Sequence, residues 1–202
     1  MELSTWLAFC AAAAVMVLIP GPTILLVIGQ SLGGGLRNAL PLAAGVALGD
    51  LVAMVLSLAG LGALLAASAT LFTAVKWVGA AYLVWLGVTM WRAPVSAEAS
   101  PPLPPSRAFR QAFIVTALNP KGIVFFVAFV PQFIDARGSF VTQAAILVAT
   151  FVTIAAINAL SYAMLAGKLS GAVRRPSVRR LLNRAGGSVL VAAGLAVALR
   201  RT

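Results

Sequence analysis

No histidine occurs in the 202 residues, cysteine occurs once, at Cys10, and only four residues are acidic. Transition-metal sites are built mainly from imidazole and thiolate, so no ordinary metal site is expected. One cysteine also excludes an internal disulfide framework. A hydrolase built on a nucleophile and a histidine base lacks its base. Charge of either sign is scarce: 9% of residues are charged and 61% are hydrophobic, with a mean hydropathy of +1.03. That composition lies far from soluble globular averages. A bilayer-spanning helix needs about 20 mostly apolar residues, and several such runs are present. The chain reads as an all-α integral membrane protein.

The little charge that remains is mostly basic, for a net charge of +11. Most of these residues flank apolar runs, where they set orientation in a membrane, so membrane lipid and not nucleic acid is the expected partner. The first apolar run begins at Glu2 with no Lys or Arg and is too long for the core of a cleaved signal peptide. The bulky Phe9 before Cys10 argues against a lipoprotein cleavage site.

Six apolar segments are expected within one membrane domain, 1–202: 5–28, 39–66, 71–91, 111–133, 140–167 and 185–199. The last is short for a span, which leaves five crossings open. "SLGGGLRN" reads as a flexible turn, since it lacks the Lys-Ser/Thr ending of a phosphate loop. "RAPVSAEASPPLPPSR" reads as an extended linker, and "KLSGAVRRPSVRRLLNR" as a basic connection. With six spans, Arg37, Arg92, Arg107, Arg110, Lys168, Arg174, Arg175, Arg179, Arg180 and Arg184 fall on one side. Lys76, Arg137, Arg200 and Arg201 fall on the other. Ten against four puts the first set in the cytoplasm and both termini outside.

The linker, about 92–109, separates repeat one (about 1–91) from repeat two (about 110–202), with three segments each. An odd number per half makes any structural repeat an inverted one. The first segment of each half contains a helix breaker: "IPGP" with Pro20, Gly21 and Pro22, and "LNPKG" with Asn119, Pro120 and Lys121. Broken backbone in lipid is tolerated where it faces protein or a water-filled cavity. Paired breaks in two halves point to a transporter's central site, where the freed N–H groups of a half-helix can hold a carboxylate. Asp50 and Lys121 each lie inside an apolar run, at a cost of roughly 2.5–3.5 kcal/mol at a bilayer centre. Such residues mark ion or substrate paths. Asp50 is expected to gain and lose a proton, with Lys121 as its partner or as a contact for a substrate carboxylate. Gly45 and Gly49 of "GVALGD" have GxxxG spacing, which lets another helix come close to Asp50. Asn158 is a further polar candidate in the fifth segment, although an interhelical hydrogen bond alone explains it.

"IPGP", "GVALGD", the polar linker and "LNPKG", in this order and over this length, resemble the LysE/RhtB family of bacterial amino-acid exporters. The resemblance implies efflux of amino acids or derivatives, of the threonine, homoserine and lysine kind, across the bacterial inner membrane, driven by protons. It carries over Pro20, Gly21, Pro22, Asp50, Asn119, Pro120 and Lys121 as the central site. No cofactor and no catalytic residue are expected. A metal-cation or other solute exporter on the same scaffold is the nearer alternative. A membrane thiol oxidoreductase is the further one, and it would need a cysteine pair. The choice of amino acid, and whether a homo-oligomer forms, stay open.

Overall fold

A computed structural model describes residues 1–34, 36–67, 69–92, 103–173 and 176–199. Within them every regular element is a helix: α1 Leu3–Leu18, α2 Pro22–Gly34, α3 Leu36–Ala67, α4 Ala69–Arg92, α5 Pro105–Ala117, α6 Pro120–Val124, α7 Phe140–Val173 and α8 Pro176–Leu199. A π-helical turn, Phe125–Phe129, and a 3-10 turn, Val130–Phe133, continue α6. Pro131 lies in that second turn and cannot donate to the carbonyl one turn back, which accounts for the widened backbone before it.

Among the described residues, two helices contain stretches long and apolar enough to span a bilayer, Arg37–Gly60 and Phe140–Ala166. The bent pairs α1–α2 and α5–α6 pass the same test as units, bent by 57° and 41°, for up to four spans. α4 and α8 hold shorter apolar stretches, Trp77–Thr89 and Asn183–Leu199. Both breaks follow local rules. Pro clashes with the backbone before it and drives that residue out of the helical region. Accordingly Ile19 (φ −72°, ψ 114°) and Asn119 (φ −70°, ψ 111°) have nearly the same extended backbone.

Three expectations need correction. The glycine-rich "loop" is helical through Gly34 and again from Leu36, leaving only residue 35 outside the described residues. Propagation from strong helices on both sides outweighs the roughly 1 kcal/mol that each glycine costs. The basic connection is largely helical too, since α7 continues to Val173 and α8 starts at Pro176; residues 174 and 175 lie outside the described ones. Proline is well tolerated in a first helical turn, so α8 has 24 residues, not fifteen. In the linker, residues 93–102 lie outside the described ones, and the end already belongs to α5, with Pro105 in its first turn. Just before it, Leu103 donates its N–H to Gln30 at 2.9 Å and accepts from the Asn38 side chain at 2.9 Å. Both of those polar side chains are buried, so the linker end is pinned to α2 and α3.

Close backbone approach organises the helix pairs. A side chain at Gly45 would strike the Phe109 carbonyl on α5, and one at Gly49 would lie 2.8 Å from both the Phe113 carbonyl and the Thr116 Cβ. The small-residue motif therefore seats α5 on α3 beside Asp50. α4 and α8 meet through Gly87 and Gly187, each facing the other's carbonyl. Next to that contact the Trp91 indole donates to the Arg184 carbonyl at 2.7 Å. Two cores result. One is aromatic, around Phe9, Phe125, Phe126 and Phe151; the other is small-residue, around Val27, Leu42, Val46, Ala112 and Ala159. Outside, Leu56, Trp77, Trp85, Val141 and Ile157 are exposed. An apolar exterior of this kind suits a lipid environment.

Candidate functional site

The end of α1 is a row of carbonyls without helical donors. Pro20 and Pro22 have no N–H, so the Met16 and Leu18 carbonyls lose the partners four residues ahead. The Val17 and Ile19 carbonyls lie in the same last turn, where a helix leaves its acceptors unpaired. Side chains from the second half of the chain supply the missing donors. The Lys121 ammonium donates to the carbonyls of Met16 and Ile19, at 2.8 Å each. The Asn158 amide donates to Val17 at 2.9 Å, and the Tyr162 hydroxyl to Leu18 at 3.1 Å. Asn158 and Tyr162 are four residues apart on α7, so they stand on one face, one above the other. The negative end of the α1 dipole meets the buried ammonium, which favours both.

The second break is closed by its own residues. Asn119 caps α6, accepting the Lys121 backbone N–H at 3.1 Å, with Pro120 in the first turn. Leu118 and Asn119 donate their backbone N–H groups to the Ile114 and Thr116 carbonyls at 3.0 Å. Thr23 then ties the two breaks together. Its hydroxyl oxygen accepts from the Asn119 amide and from the Thr116 hydroxyl, each at 3.3 Å. Leu25 makes the first backbone bond of α2, to the Gly21 carbonyl at 3.0 Å, while the N–H groups of Thr23 and Ile24 precede any acceptor in that helix.

A cavity of about 40 Å³ lies where these elements meet, lined by Gly21, Thr23, Asp50, Thr116, Asn119, Lys121 and Asn158, with Met16, Phe151 and Ala155 on the aromatic side. One water occupies at least roughly 10–15 Å³ by this measure, so there is room for a few waters but not for an amino acid. Of the residues singled out from sequence, Gly21, Asp50, Asn119, Lys121 and Asn158 come together on this wall. Pro20, Pro22 and Pro120 are not on it; they shape the backbone that is. Lys121 is 5% exposed and sits against Gly21, whose missing side chain would touch the lysine Cδ at 3.6 Å. Among the described residues no ion pair joins Lys121 to Asp50, although both belong to the same cavity. The Lys121 ammonium, expected as the partner of Asp50 or as a carboxylate contact, makes its hydrogen bonds to backbone and acts on Asp50 through space.

Three residues at the site carried no mark in the sequence reading: Thr23, Thr116 and Tyr162. Thr23 follows Pro-Gly-Pro directly, and a hydroxyl at a half-helix start is a signal that could have been used. Tyr162, one turn beyond Asn158, could have been found by asking which polar residues share that face of the fifth segment.

Comparison with known proteins finds a family and several relatives. The family model for LysE type translocators matches residues 14–201. A protein of Vibrio cholerae described as an uncharacterized membrane protein is 39% identical over 98% of both chains. A homoserine/homoserine lactone efflux protein of Salmonella typhimurium is 32% identical over 100% of this chain and 99% of its own. A leucine efflux protein from an Enterobacter species is 33% identical over 82% of this chain and 80% of its own. No solved structure matches the chain.

Proposed function

The chain belongs to the family of LysE type translocators, membrane-embedded proteins, and from that premise we propose that it is a secondary exporter of an amino acid or close derivative. The cargo is of the homoserine, threonine, leucine or lysine kind, and it leaves across the bacterial inner membrane in exchange for protons. The framework is six helices in two inverted halves. The packing supports this: α3 lies on α5, α7 lies on α1 and α2, α3 meets α7, and α4 meets α8. Exchanging the two halves maps each of these pairings onto another or onto itself.

One observation carries the reading: two broken helices meet at a small cavity that the buried-segment charges Asp50 and Lys121 both line. A cavity this small, beside a capped helix end, suits a state without cargo. In the exchange cycle Asp50 holds a proton on the inward trip and releases it as cargo enters from the cytoplasm. The start of α2, with its forward-pointing N–H groups, receives the cargo carboxylate. Thr23 and Asn119 keep that start beside the second break.

The test is flux in reconstituted vesicles. With an imposed pH gradient, labelled homoserine, threonine, leucine and lysine are offered one at a time. Gradient-dependent movement of at least one of them, with protons moving the other way, is expected. Movement that ignores the gradient would remove the proton-exchange mechanism, and no movement of any would remove the cargo class.

A further inference from the structure

We propose that the carbonyl oxygens closing α1 form a binding site for a primary ammonium, which Lys121 occupies in the closed state and the cargo's α-ammonium takes during export. The export clause rests on the function proposed above; the site itself does not.

The geometry is that of an ammonium site. A helix C-terminus carries partial negative charge and unpaired carbonyls. Two of them, Met16 and Ile19, converge on one nitrogen at 2.8 Å, the length of a charge-assisted bond. Transporters use such half-helix ends to coordinate cations. Here the cation is tethered to the chain. Of the three side chains capping this end, Asn158 and Tyr162 are neutral, and only Lys121 presents a group that a cargo ammonium reproduces atom for atom.

The surroundings allow the exchange. Gly21 places no side chain between Lys121 and the cavity. The cavity has free volume for no more than a few waters, so a cargo enters only if a resident group leaves, and departure of the lysine frees both volume and acceptors. Asp50 offers the displaced ammonium a destination in the same cavity. Asp50 and Lys121 are the titratable groups among the cavity-lining residues, with Tyr162 just behind at the Leu18 carbonyl. When the cargo ammonium takes the carbonyls, Lys121 pairs with Asp50, and the Asp50 carboxyl releases its proton to water. One cation enters the site and one proton leaves, which couples the two movements through a single side chain.

The experiment uses methylammonium as the probe. Full-length Lys121→Ala protein in detergent is titrated with methylammonium or with tetramethylammonium, which has no N–H, at matched ionic strength, and thermal unfolding is followed. Methylammonium should raise the Tm of the variant saturably, by about 3 °C or more, and leave the parent unchanged. An equal response to both ions, or none to either, overturns the site. If Lys121→Ala does not stay folded, Lys121→Gln, which keeps one N–H donor group, is titrated with the same two outcomes. Parent protein that moves no amino acid, alongside a methylammonium-responsive variant, would sink the export reading and leave the site standing. The reverse pair of results would do the opposite.

Discussion

The side-chain amide of Asn158 donates to the Val17 carbonyl at 2.9 Å, joining residues 141 positions apart in the chain. Val17 lies in the last turn of α1, and Asn158 is 9% exposed, so this bond closes a helix end inside the protein. Asn158→Ala removes the donor and leaves the carbonyl unpaired. A buried unpaired acceptor costs about 1–3 kcal/mol in soluble proteins, whereas interhelical bonds in membranes average roughly 0.6 kcal/mol. The adjacent cavity admits water to that carbonyl, so the lower figure governs. A loss of about 0.6 kcal/mol is expected in reversible unfolding from mixed micelles. Unchanged stability would mean that the bond contributes nothing.

Asp50→Asn should abolish proton-coupled export and leave the protein folded. The amide keeps the shape of the side chain and removes its titratable charge. In the cargo-free state of the proposed cycle the Asp50 carboxyl holds its proton, so the amide replaces a neutral group and thermal stability should hold. Flux under a pH gradient, read beside Tm, checks both halves. Near-parental coupled flux would take the proton-carrier role away from Asp50.

Replacing Pro20, Gly21 and Pro22 with three alanines would straighten α1 into α2. Two prolines disfavour a helix interior by about 3 kcal/mol each, so the repair looks favourable by about 6. It also hands the Met16 carbonyl to a new backbone N–H and evicts Lys121. Two hydrogen bonds to a charged group are worth about 1.5–3 kcal/mol each, and the evicted Lys121 recovers only part of that by pairing with Asp50. The losses offset most of the gain. The triple variant should therefore be little more stable than the parent, and adding Lys121→Met should raise its Tm. Neither variant should transport. A triple variant that shows the full gain of about 6 kcal/mol by itself would show that Lys121 does not depend on those carbonyls.

Glycines in α3 should divide by position. Gly45→Ala and Gly49→Ala push a methyl group into the α5 backbone, and overpacking of this kind costs about 1–3 kcal/mol. Gly60→Ala meets nothing within 4 Å and should gain about 0.5–1 kcal/mol from reduced chain entropy. Melting curves of the three variants decide it; equal shifts at all three would contradict the α3–α5 contact.

Orientation has a direct test. In a Cys10→Ser background, Ala99→Cys should resist an impermeant thiol reagent in intact cells and react after permeabilisation, while Thr202→Cys should react at once. The expectation comes from ten basic residues against four on the two sides. Labelling of position 99 in intact cells would invert the topology.

Much of the architecture was legible in the sequence because lipid imposes simple rules. Apolar run length located the helices, proline located both breaks, and the glycines of "GVALGD" foretold the close approach that α5 makes. The boundaries that failed, at 31–38 and 168–184, failed for one reason. Glycine and arginine counts describe local preference, whereas long neighbouring helices propagate through weak stretches.

At the site the division is sharper. The sequence by itself determined that α1 must break at Pro20 and Pro22 and that the Met16 and Leu18 carbonyls would lose their helical donors, since proline has none to give. It also determined that a carboxylate and an ammonium would be carried inside apolar segments. Only the tertiary structure decided who answers whom. Lys121, Asn158 and Tyr162 reach those carbonyls from positions 102 to 144 residues away, and Lys121 hydrogen-bonds to that backbone while lining one cavity with Asp50. Which donor meets which acceptor depends on how α6 and α7 are rotated and set against the end of α1. That rotation is fixed by packing across the whole fold, and no local pattern of residues encodes it.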